Sequence, residues 1–169
     1  MKLELVLKSF VAGICGSVAH SLLMYAKSAT GLLATFQPYE DLQKLLAQIV
    51  GGNMPAWAPW ALSFVNGAVV LGFLFGRVYR FLPFKTGVLK GVVFGFLCWV
   101  AMSLLFFPAL GEGLFATKVG LGVKPALFSL AMLLTYSMTL GATYAVLLSL
   151  AFGSPPVTTS HADSKPMDQ

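Results

Sequence analysis

The strongest constraint on this chain is a set of four apolar runs, each long enough to cross a bilayer, at 5–26, 57–76, 88–107 and 125–152. A helix rises 1.5 Å per residue, so about 20 apolar residues traverse a hydrocarbon core about 30 Å thick. Together the runs take just over half of the 169 residues. Of the Asp, Glu, Lys and Arg residues, only Lys8 and Lys90 fall inside them. Both lie near an end, where a long side chain reaches the headgroups. Only 10% of the chain is charged, against roughly 25% in a soluble domain. An ordinary soluble fold is excluded, and the pattern predicts an all-α integral membrane protein, a bundle of four transmembrane helices over residues 1–153.

Residues 1–19 have some features of a cleaved leader, with Ser17, Val18 and Ala19 at the would-be cut. Lys8 interrupts the apolar core, however, and hydrophobicity continues through Leu22, Leu23 and Met24. An uncleaved first span is expected. Basic residues near short loops stay on the cytoplasmic side. The stretch 77–90 carries Arg77, Arg80, Lys85 and Lys90 with no acid, which predicts both termini in the cytoplasm. A net charge of +5 here faces anionic headgroups, not nucleic acid. Cys15 and Cys98 lie mid-run, as small apolar residues without a disulfide framework.

The longest connection, 27–56, is patterned. From 39 to 50 the residues Leu42, Leu45, Leu46 and Ile49 repeat at helical spacing. Pro38 with Glu40 and Asp41 suits a helix start, and Gly51 with Gly52 a stop. Two readings stand: a short amphipathic helix lying on the outer membrane face, or a lid over a site between the spans. The connection 108–124 holds Gly111, Gly113, Gly120 and Gly122 and one acid, Glu112, and reads as flexible or tightly turned. The tail 154–169 lacks apolar periodicity and is expected to be disordered and cytoplasmic.

The first span aligns on the third at an offset of 82 residues, with 10 identities in the 25 positions from Lys8 to Leu32. This points to a parallel repeat of two helical hairpins. The small residues Gly13 and Gly16 in the first span, Gly91 and Gly95 in the third and Gly141 in the fourth are the expected helix-packing positions. Lipid supplies no hydrophobic drive between helices, so they associate where small side chains let backbones approach. On that basis the first and third spans are expected to form the central contact.

His20 is the one ionisable group, thiols and tyrosines apart, deep within a span. Such groups are costly in lipid, which makes His20 either a relay or ligand residue or a hydrogen-bonding link to Asn66, Ser63 or Ser103. Asn66, Tyr136 and Thr139 complete a possible polar intramembrane site with His20. No catalytic residues, cofactor or metal are expected. The chain has no paired deep carboxylates, no glycine-rich phosphate loop and no second deep histidine for haem. The expected activity is therefore non-enzymatic, as a structural or accessory membrane subunit, in a homo-oligomer or with another membrane protein. The alternative is a small oligomeric transporter or channel built around His20 and Asn66.

Three segments carry a family likeness: the opening run Ala12-Gly13-Ile14-Cys15-Gly16-Ser17, the exit Phe106-Phe107-Pro108-Ala109-Leu110-Gly111-Glu112-Gly113, and Tyr136 to Tyr144 of the last span. Over about residues 8–150 the chain resembles small uncharacterised four-helix proteins of the bacterial inner membrane, including the YagU-like group. The resemblance implies four spans and a location in the bacterial inner (plasma) membrane. It implies no established activity.

Overall fold

The computed structural model describes residues 3–152, and the tail expected to be disordered, 154–169, lies outside them. The helices are α1 (Leu3–Thr30), α2 (Pro38–Val50), α3 (Ala58–Val78), α4 (Gly87–Ala109) and α5 (Lys124–Phe152). All but α2 are long and apolar enough to cross a membrane, and no strand occurs among the described residues. Their outward faces carry Val65, Val69 and Val70 of α3 and Leu97 and Leu105 of α4, all exposed. An apolar surface of that extent suits lipid and not water.

Local chemistry fixes the helix ends. Pro38 occupies the first turn of α2, and Gly51 closes it in the left-handed conformation (φ 72°), its N–H donating to Ala47 O at 3.0 Å. The Thr86 hydroxyl accepts from Leu89 N–H at 3.4 Å and caps α4. Lys90, expected to reach for headgroups, instead donates to Tyr79 O at 2.8 Å with its ammonium 4.1 Å from the Tyr79 ring centre. It thereby ties together the turn that joins α3 to α4.

The bundle is organised around α5, which packs along both α1 and α4, while α3 packs along α1. The spatial order is α3, α1, α5, α4. The expected central contact between the first and third spans is therefore replaced by one in which α5 lies between them. The reason is visible at the glycines. A Cβ on Gly91 would strike the Ser137 carbonyl of α5, and one on Gly13 would strike the Ala68 carbonyl of α3. Small residues mark a face that approaches something closely, but not which helix it approaches.

Toward the Arg77 end, the core is Phe75, Phe94, Tyr136, Leu140 and Tyr144 around Ala12. Here α3 and α4, the two flanking helices, meet through the Phe75 and Phe94 rings, 5.1 Å apart. Toward the α2 end, a second cluster joins Phe36 and Ala116 of the connections to Phe107 at the end of α4. The glycine-bearing loop after α4 is tightly turned. It folds inward over Leu114–Val119, where Phe115 and Ala116 take left-handed dihedrals (φ 54° and 57°), and buries Ala116 completely.

Both flanking helices change register toward the α2 end. Residues Asn66–Leu71 of α3 and Met102–Phe106 of α4 are π-helical, with Gly72 N–H reaching back to Gly67 O and Phe107 N–H to Met102 O. In α3, the Gly67 carbonyl also accepts from the Tyr136 hydroxyl at 2.7 Å, a demand from outside the helix. In α4, Pro108 has no amide hydrogen to offer four residues back. Such widened turns cluster at functional sites.

Candidate functional site

Between these two π segments the flanking helices stand apart and leave a cavity of about 560 Å³. Its walls come from α1, α3, α4 and α5, and its roof is α2 through Pro38, Tyr39 and Leu42. The amphipathic helix is docked on the bundle by its N-terminal half, while Ile49 and Val50 at its other end stay exposed. Pro38 and Leu42 are buried against the bundle, and Tyr39 packs edge-on against Trp60 with ring centres 4.5 Å apart.

The roof is held by a hydrogen-bonded chain. The Tyr39 hydroxyl lies 3.3 Å from His20 Nε2 and donates to Ser63 Oγ at 3.0 Å, so one phenol joins α1, α2 and α3. Burial raises the Tyr39 phenol above its ordinary value, opposed by the Ser63 bond, so Tyr39 stays protonated as a donor. His20 was expected to bridge within the spans to Asn66, Ser63 or Ser103. It reaches Ser63 only through Tyr39, on an element outside the spans. Nearby, the buried Lys27 ammonium donates to Phe36 O at 2.6 Å and to Gln37 Oε1 at 3.3 Å, pinning the segment that leads into α2.

A second tie joins α2 to the loop after α4. Glu112 is 7% exposed, and no donor among the described residues reaches its carboxyl oxygens. Burial, and then the neighbouring Asp41 carboxyl of α2, raise Glu112 from 4.5 to about 7. Asp41 is itself balanced by Lys44 at 2.7 Å.

Of the four expected polar site residues, His20, Asn66 and Tyr136 line this one cavity. Thr139 does not: its hydroxyl returns to Thr135 O of its own helix at 2.9 Å. Asn66 is exposed, and its side chain makes no hydrogen bond within the described chain. Sequence reasoning missed Tyr39. The available signal was its place directly after Pro38, on the first turn of the one amphipathic helix. No metal-binding group of three or more His, Cys, Asp or Glu residues occurs among the described residues.

Tyr39→Phe keeps the ring against Trp60 but removes the hydroxyl that joins His20 and Ser63. Leaving such partners unpaired costs about 1–3 kcal/mol. Amide hydrogen exchange in α2 is expected to quicken roughly 5- to 100-fold in this variant, with α5 unchanged. Wild-type exchange in α2 would show that the hydroxyl does not hold the roof.

No curated protein and no solved structure gives a significant match to the chain. One family model does match, over residues 3–151, and it carries no link to the YagU-like group. That match runs through all five helices and their connections, and the chain accordingly belongs to DUF6789, a family of unknown function.

Proposed function

We propose that the protein is a non-enzymatic, multi-pass membrane protein that holds a lipophilic small molecule in the cavity beneath α2. The observation that carries this reading is a mid-bundle cavity of about 560 Å³ under a hydrogen-bonded roof. That volume lies within the range of small-molecule sites, roughly 300–1,000 Å³. The cavity is one-sided. Toward the Arg77 end, Phe75, Phe94 and Tyr144 fill the space between the helices. A continuous pore is thus less well supported than binding, although His20 and Asn66 share the cavity. The basic stretch 77–90 supports a cytoplasmic location for that end and for both termini, with α2 on the opposite face of a bacterial inner membrane. The 82-residue offset supports descent from a duplicated hairpin, since the paired residues Gly13 and Gly95 each face the next transmembrane helix in the chain.

The test is purification in a mild detergent, followed by mass spectrometry of everything in the size-exclusion peak. An apolar molecule at about one per chain, lost when Ala101→Trp fills the cavity wall, is the expected result. A stoichiometric companion protein with an empty cavity would instead make the chain an accessory subunit. Solute flux in liposomes that stops with His20→Ala would make it a transporter.

A further inference from the structure

We infer that the ligand is an uncharged lipophile drawn from the bilayer, and that the side-chain amide of Asn66 recognises its polar end. The inference rests on the cavity being a ligand site, and it adds the chemical class and the recognising group. No Asp, Glu, Lys or Arg lines the cavity. An ionised ligand would be buried there without a counter-charge, at prohibitive cost.

Most polar groups in the lining are already committed. The Ser17 hydroxyl donates to Phe64 O at 3.3 Å, that of Ser129 to Ala126 O at 2.8 Å, and that of Tyr136 to Gly67 O, while Tyr39 occupies His20 and Ser63. Apart from the Cys98 thiol, a weak donor, two lining groups make no hydrogen bond among the described residues, the Ser21 hydroxyl and the Asn66 amide. Asn66 offers both donors and an acceptor. It opens the π segment of α3, exposed in the gap where α3 and α4 part beyond the Phe75–Phe94 contact. An amide left bare at membrane depth is costly, and a ligand end that pairs with it recovers that cost.

The shape favours a small molecule over a helix of a second copy. Behind Asn66 the cavity continues inward to His20 and to Tyr136, which is 3% exposed. A helix laid across the gap would cover Asn66 and leave that depth empty. A slender molecule with one polar end fills it.

The full chain would be reconstituted in phosphatidylcholine vesicles with three photoactivatable probes of equal length: a diazirine hexadecanol, the matching hexadecane and the matching hexadecanoate. Cross-links would be mapped by peptide mass spectrometry. The alcohol is expected to label Cys98 and Met102 in the lining above the level at lipid-facing Leu105. Asn66→Leu should lower that labelling about three- to twentyfold, the range of one intramembrane hydrogen bond, and leave the hexadecane pattern as it was. Asn66→Gln should retain most of the labelling, and it serves as the comparison if the leucine variant folds poorly. Equal alcohol labelling in Asn66→Leu and wild type would overturn the role of Asn66 while the cavity reading stands. Stronger labelling by the carboxylate would overturn the uncharged class. A switch in oligomeric state with unchanged labelling would assign Asn66 to a second copy and overturn the inference. No probe in the lining above the Leu105 level would overturn the cavity reading itself.

Discussion

Gly91→Leu is expected to part α4 from α5 and remove most of the folded protein from the membrane. The new side chain has nowhere to go. Its Cβ alone would fall on the Ser137 carbonyl and against the Met138 Cα, both backbone atoms of α5 that no rotamer change can move. Helices in lipid gain their association from close packing, so a spacer at this point forfeits much of the α4–α5 interface. Overpacking of this kind costs about 3 kcal/mol, the upper end of what well-packed interiors show. The measurements are abundance and thermal unfolding in detergent, with at least a tenfold fall in folded protein expected. Gly52→Ala is the control, because a methyl there meets nothing within 4 Å. A wild-type melting temperature for Gly91→Leu would mean that the α4–α5 contact is not as close as described.

Docking of α2 is expected to weaken as pH rises from about 5 to 8, and Glu112→Gln to abolish that dependence. The docked state holds a proton on Glu112 up to about pH 7, whereas the undocked carboxyl, in water, gives it up near its ordinary value of 4.5. Undocking between those values releases a proton. The stabilisation is therefore complete below pH 4.5, falls as pH rises to about 7 and stays lost above it. Glu40, Asp41 and Lys44 are the charged groups of α2 beside this contact. Asp41 is paired with Lys44, and burial and the Asp41 charge are what oppose ionisation of Glu112. The loss is on the order of 2–3 kcal/mol once solvent at the loop surface is allowed for. Melting temperature and α2 hydrogen exchange from pH 5 to 8 would both show it, with the glutamine variant flat. A flat wild-type profile would dissolve the carboxyl pair.

Much of the architecture can be read from residue types alone, because lipid leaves few choices. Once four apolar runs of bilayer length are present, backbone satisfaction requires four helices, and Pro38 and Gly51 mark the ends of α2. What could not be read was pairing. Gly13 and Gly91 sit on the two spans expected to meet and both are in close contacts, yet one faces α3 and the other α5. The choice of neighbour depends on the shapes of both surfaces at once. The site was half legible for the same reason. Deep polar residues are few enough to single out His20 and Asn66 and to suspect Tyr136. The closing partner, Tyr39, lies in a connection, where a tyrosine is unremarkable until the fold brings it over His20. Thr139 failed as a candidate because a hydroxyl on a helix has a carbonyl of its own one turn back, and no sequence pattern says whether it takes it.

The position of α5 at the centre of the bundle also dictates an order of assembly. The chain leaves the ribosome from its N-terminus, so α1 and α3 are made first and can pair at once through Gly13 and Ala68. The next helix, α4, has its main interface with a helix that does not yet exist. Its Gly87, Gly91 and Gly95 have no helix to pack against until the 29 residues of α5 follow and dock against α1 and α4 together. The fourth of the four spans is thus the keystone of the bundle, and the gap between α3 and α4 is a space that its docking encloses but does not fill.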